Sequence, residues 1–220
     1  MKRLLKILCC VSLIFIFQFS DFNPAQAQRI HGLVSSGATL SQIEGDELKG
    51  FRLLGYSGGV GAIAALDRNE RWSISLEALF SQRGSYNASN NPYSVALNLN
   101  YIDIPFMLHF RDPWGGILIG LGLNYGRLVQ QPHGTFYYDT NYFIPDTTDF
   151  SFLLNDLAAV ADIRFPVWRS LWFNIRWQYS IAAVKRDWLF TELKHNGSTT
   201  HSWRNDCYNN SLTFRLIWVF

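Results

Sequence analysis

Three histidines, His133, His195 and His201, lie near Asp139, Asp187, Ser198, Ser202 and Asp206. These are the residue types of nucleophilic hydrolysis, where a histidine takes a serine proton and a carboxylate orients the histidine. None of them stands in a catalytic motif, and histidine and serine are ordinary loop residues. His195 and His201 lack the spacing of zinc ligands. The glycines between Gly115 and Gly126 lack the Gly-x-Gly-x-x-Gly spacing, and the following helix, of a phosphate loop. The expectation is a chain without catalytic, metal or cofactor-binding residues.

A second set of residues carries charge rather than catalysis. Glu77, Asp103, His109, Asp156, Asp162, Arg164, Arg176 and Arg215 each fall on the polar side of an alternating segment. Acids and bases are both present, so a network of internal ion pairs is expected, because buried charges persist only when paired and hydrogen-bonded. The other chemistry such a set allows is a proton or ion path. Gly120, Gly122 and Gly126 share one face, which predicts room there for long arginines opposite. A third set is aromatic: Phe136, Tyr137, Tyr138, Tyr142 and Phe143, with Trp188 and Trp203 further on. Rings in external loops stack on sugars or dock proteins, so these seven form a candidate external contact surface. The other reading is that strands extend past the bilayer and the rings form their girdle.

The elements that position these residues read as strands. Trp72, Ile74, Leu76, Ala78 and Phe80 face one way, and Ser73, Ser75, Glu77 and Ser81 the other. The same period of two runs through 100–110, 117–127, 156–165, 171–181 and 211–220, with weaker glycine-rich candidates at 32–41 and 53–66. That makes eight strands, and no long helical pattern follows residue 28. Short connections at 67–71, 111–116 and 166–170 alternate with long ones at 42–50, 84–96, 130–153 and 184–210. Short turns on one side and long loops on the other are the pattern of an outer-membrane barrel. Pro105 falls inside a strand, where it removes a ladder donor, and a bulge is expected there.

Composition agrees with that class. The 220 residues are 48% hydrophobic and 16% aromatic but only 16% charged, which excludes a disordered chain and a basic nucleic-acid binder. A mean hydropathy of zero excludes a bundle of membrane helices. The start is a basic stretch, Met1 to Lys6, then an apolar run, then Ala25-Gln26-Ala27, which is the form of a cleaved export signal over residues 1–27. Removing it takes three of the 19 basic and one of the 17 acidic residues, leaving no net charge. Cys207 is then the one remaining cysteine, so no intramolecular disulfide forms. The polar face is mainly Ser, Gly, Asn and Gln, with only Lys49, Lys185 and Lys194 after residue 27, unlike the solvated exterior of a soluble barrel. Turning a strand over would place Arg164 or Arg176 in lipid, at about 2–4 kcal/mol each near the midplane.

Tyr101-Ile102-Asp103-Ile104-Pro105 resembles the aromatic-aliphatic-acid-aliphatic-proline signature of the PorT-like outer-membrane β-barrel family. Gly37-Ala38-Thr39-Leu40-Ser41 is similar to that family's early Gly-x-Asn-x-Ser pattern, with Thr39 in place of the asparagine. The resemblance covers most of residues 29–220. It implies a small barrel in the outer membrane, in a family of which one branch serves protein export across that membrane.

The expectation is therefore an all-β chain: an eight-stranded antiparallel up-and-down transmembrane β-barrel at 28–220, monomeric, in the bacterial outer membrane, with a lumen filled by side chains. Its partners would be outer-membrane lipid, the barrel-assembly machinery reading the last strand that ends at Phe220, and an envelope protein, but no nucleic acid. Its role would be structural or interactive. The alternatives are a narrow pore for ions or small solutes and a lipid-modifying enzyme at the rim.

Overall fold

The computed structural model describes residues 30–46, 50–87, 95–136, 143–145, 151–193 and 199–220. The expected export segment 1–27, Tyr137, Tyr138, Asp139, Tyr142, His195 and Ser198 lie outside the described residues.

The strands, in chain order, are β1 (Ile30–Glu44), β2 (Leu53–Ala65), β3 (Trp72–Asn87), β4 (Val95–Arg111), β5 (Leu118–Phe136), β6 (Phe143–Pro145), β7 (Asn155–Trp168), β8 (Leu171–Ser180), β9 (Lys185–Leu193) and β10 (Thr199–Val219). Eight of them form one antiparallel sheet in the order β1-β2-β3-β4-β5-β7-β8-β10, and β1 pairs with β10 to close it. The closing seam runs from Leu33 opposite Val219 to Glu44 opposite Tyr208. Closure leaves no barrel strand with an unpaired edge, the one way a sheet can sit in hydrocarbon. The outer part of β10 goes on to pair with β9, and β9 with the short β6, in a small second sheet.

One end of the barrel has tight turns. Asp67 accepts the Trp72 N–H at 2.8 Å, and Asp112 accepts the N–H groups of Trp114 and Gly115 at 3.2 and 2.7 Å. Gly116 follows in the left-handed region at φ +68°, where a side chain would be strained. The third turn is only Arg169 and Ser170. At the opposite end the strands continue well past the segments that alternation marks out, most of all β5 and β10.

Pro105 makes no bulge. The register of β4 is constant against β3 from Phe106 opposite Leu76 to Asp103 opposite Leu79, and against β5 through Ile104 and Pro105. Its missing N–H shows instead as two skipped pairings with β3, because a ladder can lose a donor without gaining a residue. The irregularities in β4 sit at Asn98, Asn100 and Tyr101, nearer the long-loop end.

The outer face is apolar. Val60, Leu76, Ile104, Phe106, Leu121, Leu123 and Leu216 are all exposed on it. Aromatic rings flank this belt, with Trp72, Trp168 and Trp218 towards the tight turns and Tyr56, Tyr125, Trp177, Tyr179 and Tyr208 towards the long loops. Between the two rings no described outward residue is Asp, Glu, Lys or Arg. Trp218 and Tyr208 are ten positions apart on β10. At about 3.4 Å per residue and a tilt near 40°, that separation is about 26 Å, the height of the apolar band of an outer-membrane barrel. The chain is built to span a bilayer.

Candidate functional site

The interior is where charged chemistry collects, and strand register explains how. Side chains on alternate positions of β3, β4, β5, β7, β8 and β10 project inward, and pairing sets their heights. Asp162 of β7 stands opposite Arg176 of β8, and Arg215 of β10 opposite Asn174 of β8. Glu77 reaches them from β3 across the barrel. Its Oε1 accepts from Arg164 Nη2 at 3.0 Å and Arg176 Nη2 at 2.8 Å, and its Oε2 accepts from Arg215 Nη1 at 2.9 Å. Asp162 Oδ2 accepts a second bond from Arg176 at 2.8 Å, and Asn174 Oδ1 takes two from Arg215 at 3.0 and 2.8 Å. His109, fully enclosed, has its Nε2 3.3 Å from Asp162 Oδ1.

A second layer lies nearer the long loops. Arg83 is held between Asp103 and Asp156, donating to Asp156 Oδ2 at 3.0 Å and pairing closely with Asp103. Ser81 also bonds Asp103, and Asn124 donates to its other oxygen at 2.8 Å. Ser180 and Asn209 donate to Asp156 at 2.7 and 3.2 Å. The Arg83 guanidinium lies over the Tyr101 ring, 4.9 Å from its centroid. Such multiply bonded pairs are the only form in which ions are tolerated in a low-dielectric interior.

The two layers differ in balance. The first holds three arginines against two carboxylates, and the second one arginine against two carboxylates. Across both, four positive and four negative groups cancel. All eight of the charged positions read from the sequence are inside, and Arg83, which that reading missed, is the only base of the second layer among the described residues. Extending the alternation of 72–81 by one more step, from Ser81 to Arg83, was the signal that pointed to it.

The glycines do a different job from the one expected of them. A Cβ on Gly120 would lie 2.5 Å from Asp162 Oδ1 and from His109, one on Gly122 would meet Met107, and one on Gly126 would meet Asp103. The space they leave is filled by carboxylates, a histidine and a methionine on the adjoining strands, not by arginines. Cross-strand neighbours in register take the space before long side chains from across the lumen can reach it.

Above the second layer the lumen is capped by apolar side chains, among them Ile43, Leu97, Leu99, Leu128, Phe152, Trp188 and Phe190, with Cys207 buried among them. Trp188, expected on an external contact surface, is 3% exposed and belongs to this cap. It is turned inward by its edge contact with Phe152, 5.9 Å between centroids, and by Lys185, whose Nζ lies over both rings. Trp203 is half-buried and stacks between Phe190 and His201. Phe136 ends β5 opposite Val95, and Phe143 opens β6 opposite Glu192. Of the loop residues that could serve hydrolysis, His201 stacks on Trp203, Ser202 shares a hydrogen bond with Thr191, and Asp206 accepts the Asp187 N–H.

The space left within the layers is small. Between Arg83, Asp103, Arg176 and Arg215 it amounts to about 10 Å³, room for one water at most. At the tight-turn end the described residues open instead into a cavity of about 480 Å³.

No protein-family model matches this sequence, and no curated protein matches it. Fifteen chains of solved structure do match. One is Ail, the attachment invasion locus protein of Yersinia pestis, at 13% identity over 86% of this chain and 98% of that one, with a TM-score of 0.45. Others are Neisserial surface protein A, at 8% identity over 89% and 100% with a TM-score of 0.43, and a major outer membrane protein of Thermus thermophilus, at 10% over 87% and 99%, also 0.43. At these values no residue or role passes from them to this chain, and the barrel assignment stands on the closed ladder itself.

Proposed function

We propose that the chain is a bacterial outer-membrane barrel that works by contact, with its tight turns in the periplasm and its long loops outside. The observation that carries this reading is a strand pair, β9 with the outer part of β10, raised beyond the aromatic ring on a barrel whose lumen is filled. A filled lumen favours contact over transport, and the hairpin offers a surface, Trp203 with His201, clear of the membrane. The partner is a protein or another envelope component. The PorT-like resemblance, in which Tyr101, Asp103 and Pro105 all point inward while Ile102 and Ile104 face outward, makes an export assembly the class to examine first. The last strand, ending at Phe220, would direct insertion by the barrel-assembly machinery, and the barrel would be monomeric and non-catalytic.

The test is mild cross-linking in intact outer membrane followed by recovery of the tagged barrel. A stoichiometric partner is expected, and it should be lost when residues 137–150 are removed or when the 194–198 connection is shortened together with Trp203→Ser, in variants that still fold. Recovery of the bare barrel from wild-type membranes would overturn the reading.

A further inference from the structure

The cavity at the tight-turn end is unlike the rest of the interior, being open and only partly neutralised. Arg111, Arg164 and Arg169 line it, with Glu70 the one acidic side chain among the described lining residues. Arg164 is almost wholly buried and held by Glu77, so it forms the floor of the cavity and is not its open donor. Arg111 meets Glu70 at 3.5 Å with its side chain 39% exposed, and Arg169 on the same lining is exposed. Two exposed guanidinium groups, Arg111 and Arg169, on the lining of one cavity offer an entering anion several charge-assisted donors at once. Trp172 supplies an apolar wall, with the Arg111 guanidinium 5.8 Å from its centroid, and Ile217 continues that wall. Two residues of the rim, Glu70 and Arg169 in separate turns, have backbone in the left-handed region at φ +53° and +26°. A volume of about 480 Å³ matches the size class of small-molecule sites.

We propose that this mouth binds a small organic anion, with one carboxylate or phosphate held by Arg111 and Arg169 and an apolar body laid against Trp172. The site is separate from the external surface and does not depend on any partner there.

The protein refolded in zwitterionic micelles is titrated calorimetrically with 3-phenylpropionate, phenyl phosphate and the neutral 3-phenylpropanol. Saturable binding of at least one anion at millimolar concentration is expected, with the alcohol weaker by about tenfold or more, which corresponds to one charge-assisted hydrogen bond. The two anions distinguish a carboxylate ligand from a phosphate one. Arg111→Gln should weaken the anion about tenfold and leave the alcohol unchanged; Arg169→Gln, in an exposed turn, serves the same purpose if Arg111→Gln does not fold. The proposal falls if neither anion saturates, if the alcohol binds as well as the anions, or if a folded variant keeps wild-type anion affinity.

Discussion

Single residues carry unequal weight in this interior. Glu77 is the one acid touching all three arginines of its layer, so Glu77→Gln leaves them facing Asp162 alone. Losing one partner of a buried ionic group costs about 3–5 kcal/mol, and the urea midpoint of the refolded barrel should fall accordingly. Adding Arg215→Met to Glu77→Gln restores the charge balance of the layer, so the double variant should be more stable than Glu77→Gln alone. A double variant weaker than the single would show that packing of Arg215 against Asn174 outweighs charge. In the second layer, Arg83→Met strands both Asp103 and Asp156, and a comparable loss is expected in the same titration. Alternation showed which face each charged residue takes, because that needs only the period of a strand. It could not show neighbours, which depend on register between strands, and so the partners of Gly120 and Gly126 were misjudged.

At the level of elements, the cap joins the barrel to the outer hairpin. Trp188 and Phe190 of β9 share one buried cluster with Leu97 and Leu99 of β4, so Trp188→Ala should cost about 3–5 kcal/mol and reduce near-ultraviolet ellipticity without altering the strand content. A far-ultraviolet change of the same size would mean that the hairpin itself is lost. The cores of the eight barrel strands were legible from sequence, since lipid on one side and a packed lumen on the other enforce strict alternation. Their outer reaches were not. Beyond the aromatic ring both faces of a strand can meet water or loop, the pattern lapses, and β9 was read as part of a loop. Trp188 was misplaced for the same reason, because a residue outside an alternating run has no face to be assigned to.

For the whole molecule, layered filling predicts a closed barrel. Planar bilayers carrying the purified protein should show no steady conductance, and a stable open level would contradict the packing of Arg83, Glu77 and the cap. The ion pairs are enclosed and so poorly screened, which leaves the urea midpoint nearly unchanged between dilute buffer and about 1 M salt. A large drop would place those charges in contact with water. The longest strand adds something mechanical. β10 runs 21 residues without a break, bonded to β1 and β8 within the wall and to β9 outside it. A pull on the hairpin along that strand would load the seam's transverse hydrogen bonds in shear, many at once, rather than unzipping them singly. A load on the hairpin is thereby anchored to the wall of the barrel as if by a single rivet line, and a tug at that end would be borne by the entire cylinder.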